Sequence, residues 1–543
     1  MVMKWLFVRY FAVKIRLPDL VSVYTDSGVF QSKWEDGELF LGLEGDVLSV
    51  RVCSGETGLR YVRLRWTFSK NEKRNEPLRI YGDAWERAGG DLEWRGIVPE
   101  RCMPWFCLVS NGTDSDPDTA GRFTEGFGVR VCPGAMCFWQ YDSAGITLWL
   151  DARCGGEGVL LSGRELCLAR VVFGEYRNCS AFSAGKLFCR EMSPEPKPLT
   201  APVYGSNNWY YAYGNSSAEE IKKDTAVAAE LCAGLSNRPF MVIDDGWTQN
   251  PKNGPWDRGG ESFGDMAALA REIKSQNVRP GIWVRYVYDQ GGVCDLPKEW
   301  HYPHDGDFLD VSRPEVLEYV RKTTERFVDW GYELIKFDCS TQDILGRRGY
   351  RVPYGIAADG WSFYDRSKTT AEIITDFYRA VRAGAGEKTV LIGCATLSHL
   401  SAGIVEIGRT GADINGVNWD ITRRMGVNTL AFRMMHHRAL FDADADCVGI
   451  TGKLPWEKIR QWLFILSRSG TPLFVSCKPG VLNEAQLEEL REAFRVNSVQ
   501  KDELIPLDWM ENVCPERWSL NGEEICFDWF DGTVNTMFTG REI

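Results

Sequence analysis

Between residues 203 and 477, eight short apolar runs recur, with helically spaced stretches between many of them. That alternation limits the fold more than any other feature of the chain. The runs are VYGSNNW (203–209), FMVIDDGW (240–247), RPGIWVRY (279–286), ELIKFDC (333–339), TVLIGCA (389–395), VEIGRTGADI (405–414), ALFDADADCVGI (439–450) and TPLFVSC (471–477). AEEIKKDTAVAAEL (218–231) and RPEVLEYVRKTTERFVDW (313–330) are among the amphipathic segments between them. Strands that alternate with helices pair in parallel, and eight is the number a closed (β/α)8 barrel needs. An open doubly wound sheet shares the rhythm, but no Gly-rich phosphate loop follows the first run. The expectation is a catalytic TIM barrel over residues 203–497.

The flanks read differently. Pro194, Pro196, Pro198 and Pro202 make a stiff extended linker and mark the sharpest boundary. Ahead of it, residues 1–193 carry alternating runs such as LSVRV (48–52), YVRLRWTF (61–68), GITLWLDA (145–152) and GVLLSG (158–163). Asp36-Gly37 and Asn111-Gly112 supply turn signals, so an N-terminal antiparallel β-sandwich is expected. The opening MVMKWLFVRYFAVKIRL is broken by Arg9 and Lys14 and reads as a first strand, not a signal peptide. YGDAWERAGGDLEWR (81–95) is dense in aromatics and acids. It reads as domain packing, with a reach into the active site as the alternative. Over residues 498–543, Asn521-Gly522 and Asp531-Gly532 predict a three-stranded antiparallel meander packed on the barrel.

The net charge of −12 argues against nucleic acid or anionic membrane as a partner and suits a neutral ligand. No run approaches a membrane span. The 17 Cys lack CxxC spacing and the five His lack HExxH spacing, so no metal and no cofactor are expected. A cytoplasmic location is expected, or a periplasmic or secreted one if a leader has been removed, and a homo-oligomer is left open. The excess lies in aromatics, with 21 Trp, 19 Tyr and 27 Phe, whose flat rings suit sugar faces.

Charged residues sit where a buried strand has no routine use for them. In ELIKFDC, Lys336 and Asp338 share one face of the strand while Phe337 takes the other. Asp244 and Asp245 end the second run, Asp413 follows Arg409 after the sixth, and Asp444 and Asp446 end the seventh. One such acid is more often a helix cap than a catalyst. Capping alone does not explain why the same ends carry Trp209, Trp247, Trp283, Lys336 and Arg409. Acids, cations and Trp converging at one rim describe a sugar site, and paired carboxylates are what glycosidic cleavage requires.

In order along the chain, VIDDGW, KFDC, the cysteine of IGCA and the RxxxD of RTGAD resemble the motifs of glycoside hydrolase families 27 and 36. ADADCVGI and PLFVSC resemble the seventh- and eighth-strand segments of that clan, with Ala443 and Ala445 where the commoner pattern has Asn and Pro. The resemblance covers roughly residues 203–480, and the leading β-domain and DDGW bring it closer to family 36. It implies a retaining exo-α-galactosidase acting by double displacement on terminal α-galactosides. Asp338 would be the nucleophile and Asp413 the general acid/base. Asp244, Asp245, Lys336 and Arg409 would bind hydroxyls, Trp209, Trp247 and Trp283 would line the sugar, and Cys394 would face carbon 2.

The residues agree with that assignment and add a condition. Lys336 beside Asp338 favours the ionised form, whereas Asp413 must begin each cycle protonated, so Arg409 should be engaged elsewhere. After Cys394 come Ala395, Thr396 and Leu397. These small residues leave room for an acetamide, which keeps α-N-acetylgalactosaminidase as the close alternative for an oligosaccharide or glycoconjugate substrate. A raffinose-synthase-like transglycosidase and a non-catalytic sugar-binding protein also remain open. The stretch 340–367 after the fourth run exceeds an ordinary connection and holds Tyr350, Tyr354, Trp361, Phe363 and Tyr364. Those rings suit a lid or platform, with structural padding as the equal alternative.

Overall fold

The computed structural model describes residues 15–69, 77–116, 118–346, 357–499 and 503–530. The expected first strand before Ile15, the Asp531-Gly532 hairpin, Tyr350 and Tyr354 lie outside these residues.

The N-terminal part is a sandwich of a six-stranded and an eight-stranded antiparallel sheet. Their facing sides alternate large apolar groups, as a half-buried pleat demands. Trp66 and Trp139 from one sheet close on Phe127 and Phe173 from the other, with ring centroids 5.2 Å apart for Trp66–Phe173. The runs at 48–52, 61–68 and 145–152 form the strands Val47–Ser54, Leu59–Thr67 and Gly145–Asp151. GVLLSG does not form one. It contributes only an isolated bridge from Val159 to Leu59, because Gly158 and Gly163 bracket too short a run to continue the ladder. A helix, Ala181–Met192, then packs beneath the larger sheet, with Ser180 as its N-cap.

The parallel sheet that follows has nine strands, one more than the eight runs. Tyr204–Asn207, Phe240–Ile243, Arg279–Val284, Leu334–Phe337, Val390–Gly393 and Ile407–Arg409 follow one another around it. The seventh run is split. Asp442–Asp444 pairs with the sixth strand, while Cys447–Ile450 pairs with Leu473–Cys477, which returns to the first. Asp446, at φ 76°, is the kink, so the two ends of the sheet are joined covalently through Ala445 and Asp446 and the barrel closes there. Helices cover the outside. Pro314–Trp330 shows why they form: Pro at N1, apolar residues at helical spacing, and Gly331 in the left-handed conformation as its stop.

Beyond the barrel, Leu504–Pro506, Arg517–Leu520 and Glu523–Cys526 form a three-stranded sheet. The Asn521-Gly522 turn is present, with both residues at positive φ. Its remaining strand, Leu504–Pro506, precedes that hairpin, and the strand expected after Asp531-Gly532 lies outside the described residues.

Candidate active site

Each strand delivers its last residues to the same mouth of the barrel. Lys336 and Phe337 take opposite faces, as the period of two requires. Phe337 packs outward on Phe377 and Tyr378 of the helix Thr370–Ala385, and Lys336 Nζ donates to Asp244 Oδ2 at 2.7 Å inside. Asn207 Nδ2 shares that oxygen at 2.8 Å, and Asp245 Oδ1 receives the Lys252 amide at 2.7 Å. The turn holding the Asp pair depends on Gly246, at φ +104°. A Cβ there would sit 2.3 Å from the Gly214 carbonyl oxygen, so no other residue fits.

Asp338 is fixed from several sides. Its own neighbour Cys339 donates its amide to Oδ1 at 2.6 Å, and Trp283 Nε1 approaches Oδ2 at 3.4 Å. Burial alone would raise this carboxyl's pKa, but the nearby charges of Arg87, Lys336 and Arg409, with the Cys339 amide, outweigh it and hold the pKa below the ordinary carboxylate range. Asp413 differs: its side chain is 50% exposed against 14% for Asp338, so it stands at the opening. Arg409 Nη2 lies 3.4 Å from Asp413 Oδ1 but is paired most closely with Asp446, which also accepts from the Tyr210 hydroxyl. Arg409 is thus engaged mainly on another acid, as the sequence requires, but keeps a longer contact with Asp413. Asp446 and Tyr210 thereby join the site as buried residues.

The residue that sequence reasoning missed is Arg87. It comes from the aromatic and acidic segment 81–95 of the N-terminal domain, to which a packing role was given. That segment does pack, since Ala88 exchanges backbone hydrogen bonds with Thr410 and Ala412, and the Leu92 amide and carbonyl pair with the Asn428 side-chain amide. Arg433 grips Asp83 Oδ1 at 2.8 Å. The same docking drives Arg87, 6% exposed, into the barrel mouth. Its Nη1 lies 3.2 Å from Asp413 Oδ1, 3.8 Å from Asp338 Oδ1 and 3.7 Å from Cys394 Sγ. Glu86 beside it and the density of acids and aromatics in segment 81–95 were the available signal.

Two other expectations need correction. Trp247 is fully buried, donates its indole N–H to the Trp283 carbonyl and packs on Trp256 and Phe327, so it backs the site without lining it. Its neighbour Trp283 takes the polar end of the pair. Ala395 and Leu397 are buried too, and the Ala395 carbonyl receives the hydroxyls of Ser340 and Thr341, so the small residues after Cys394 are packed into the barrel wall. Trp209 is half-buried after the first strand, edge-on to Tyr213. Among the described residues, no group of three or more His, Cys, Asp or Glu is placed to hold a metal ion, and no helix is long and apolar enough to cross a membrane.

No protein-family model matches the chain, and no curated protein matches its sequence. Solved structures do match. TtGalA, an α-galactosidase from Thermus thermophilus, aligns over 95% of this chain and 98% of its own at 16% identity and a TM-score of 0.58. The galactosidase domain of the α-galactosidase-sucrose kinase AgaSK aligns over 90% and 71% at 16% identity and 0.59. The GH36 α-galactosidase AgaA from Geobacillus stearothermophilus aligns over 93% and 79% at 12% identity and 0.59. At such identities the likeness speaks for architecture, and sandwich, barrel and trailing sheet together have the fold of the family 36 α-galactosidases.

Proposed function

We propose that the protein is a retaining exo-glycoside hydrolase of the α-galactosidase kind. The observation that carries this is the pair of carboxylates at the barrel mouth, one sequestered and held ionised, the other half-exposed. Both contact Arg87 Nη1, at 3.8 Å and 3.2 Å, so these two oxygens lie within about 7 Å of each other. That bound accommodates the ~5–5.5 Å carboxyl separation of retaining enzymes.

In this reading Asp338 attacks the anomeric carbon as Asp413 protonates the departing glycosidic oxygen. The glycosyl ester on Asp338 then yields to a water whose proton Asp413 takes back, and the sugar leaves with its α configuration. Lys336, Asp244 and Asp245 form one hydrogen-bonded set at the closed end of the pocket, suited to hydroxyls at the far side of the ring. α-Galactosides are the substrate class supported by the neighbours. TtGalA has been solved with p-nitrophenyl α-D-galactopyranoside and with stachyose, and an AgaA variant with raffinose.

The test is hydrolysis of matched aryl α-galactoside, α-N-acetylgalactosaminide and β-L-arabinopyranoside, with the first-formed anomer read by NMR. The expected result is highest kcat/KM on the galactoside with α-galactose released first. A β product would refute retention, preference for the acetamido sugar would refute the galactoside, and inactivity on all three would leave only a sugar-binding protein.

A further inference from the structure

We infer that Arg87, supplied by the N-terminal β-domain, is a positioning residue that leaves the catalytic carboxylates on sugar binding and donates to the oxygen on carbon 2 of the substrate. The inference rests on the glycosidase reading above and specifies what the second domain contributes to it.

A general acid must carry a proton, yet Asp413 in the unliganded site lies 3.2 Å from one guanidinium and 3.4 Å from another. Arg409 is already committed to Asp446 and is held by Tyr210 as well. Arg87 is the less committed cation. Its Nη1 hydrogen-bonds Asp413 at 3.2 Å and is otherwise spread over Asp338 and Cys394 at 3.8 and 3.7 Å, while its buried Nε, 3.6 Å from Glu86, makes no hydrogen bond among the described residues. Buried guanidinium donors left so loosely satisfied will take a better acceptor when one arrives.

The chemistry of the ring says which acceptor. With the anomeric carbon against Asp338, a group beside that carboxylate faces either the ring oxygen or the substituent on carbon 2. The ring oxygen gains positive charge in the oxocarbenium-like transition state, so a buried cation against it would raise the barrier. Beside carbon 2 the same cation meets a hydroxyl lone pair and strengthens a contact that tightens in the transition state. Cys394 marks that corner as narrow. Its small successors are buried, and the guanidinium occupies the space in front of it. A hydroxyl fits that space by accepting from Arg87, whereas an acetamide has to displace it.

The experiment is a four-way comparison of wild type and Arg87→Ala on an aryl α-galactoside and its 2-deoxy analogue. The intrinsic reactivity of the deoxy sugar cancels in the ratio of ratios. Wild type should discriminate against the 2-deoxy substrate about 10- to 100-fold more strongly than Arg87→Ala does, the range expected for one charge-assisted hydrogen bond. Arg87→Lys should keep part of that discrimination. Equal discrimination by both proteins would overturn the inference, since a merely structural arginine lowers both substrates alike. Calorimetric binding of galactose and 2-deoxygalactose to the same two proteins repeats the comparison without turnover. An inactive wild type that still shows the coupling in binding would refute the hydrolase reading and keep Arg87. No binding of either sugar by wild type would overturn both.

Discussion

Replacing Asp446 with Asn tests the electrostatic frame of the site. Asp446 and Arg409 have side chains 3% and 2% exposed. Asp446 Oδ2 accepts from Arg409, from the Tyr210 hydroxyl and from the Ile414 amide at 3.0 Å, while Oδ1 accepts the Cys447 amide at 2.7 Å. Asn has one acceptor oxygen where Asp has two, so in either orientation its NH2 group faces a buried donor. More costly, Arg409 keeps its charge but loses its main carboxylate. Breaking a buried pair in this way costs about 3–5 kcal/mol, a large fraction of the ~5–15 kcal/mol that holds a folded domain together. The loss should appear as a lower urea midpoint at unchanged slope in the barrel transition. Arg409 would also lean on Asp413, its remaining carboxylate contact at 3.4 Å, so kcat/KM should fall about 100-fold or more through the general acid. A double variant with Asp446→Leu and Arg409→Met should regain most of the stability and none of the activity. A loss under about 1 kcal/mol in the single variant would refute the assignment of Asp446 as the anchor of Arg409.

Three further outcomes follow from the same geometry. Asp338→Asn should lower kcat by about 10⁴-fold or more with near-UV circular dichroism unchanged, and azide should restore turnover to Asp413→Gly as a glycosyl azide of retained configuration. Failure of that rescue would remove Asp413 from the acid/base role. Asp224, on the outer helix Ala218–Leu231, is pushed up to about 6 by burial, with the Tyr211 hydroxyl donating to it. An acid whose pKa rises on folding destabilises the fold above that pKa and has no effect below about pH 4, where both states are protonated. Asp224→Asn should therefore be more stable than wild type by about 1–2 kcal/mol at pH 8 and indistinguishable at pH 3.5, and a gain that survives acidification would refute this. Trp361 packs against Phe363 and His304, and its carbonyl accepts the Gly156 amide, which places it at the seam with the sandwich. Trp361→Ala should lower the Tm and change kcat/KM equally for an aryl glycoside and an oligosaccharide, whereas a selective loss on the oligosaccharide would restore the platform role.

What the sequence disclosed tracks the range over which its signals act. Strand period placed Lys336 and Asp338 on one face, and the alternation of runs and helices placed them at a barrel mouth, because both are local rules summed along the chain. The demand that Arg409 be engaged away from Asp413 was also legible, as a requirement of proton chemistry with the partner unnamed. The partner is Asp446, and it was hidden because the seventh run looks continuous. Only the positive φ at Asp446 breaks that run into two strands, turning one acid of DADADC into the acceptor for Arg409. Trp247 misled for the opposite reason, since its place beside the Asp pair says nothing about which way an indole turns once Gly246 has bent the chain.

Arg87 lay furthest from reach. It is separated from Asp413 by 326 positions in the chain, and nothing in the barrel's own repeat calls for a cation there. Its position follows from docking, with Ala88 hydrogen-bonded to the backbone at Thr410 and Ala412, and Asp83 paired with Arg433. The sandwich is thus fastened to the segment Arg409–Asp413, the one that also carries the proposed general acid. Arg87 and Asp413 are each one residue from the same pair of backbone hydrogen bonds, those of Ala88 with Thr410 and Ala412. That shared attachment is why a β-domain that supplies neither Asp338 nor Asp413 can still set the environment of both.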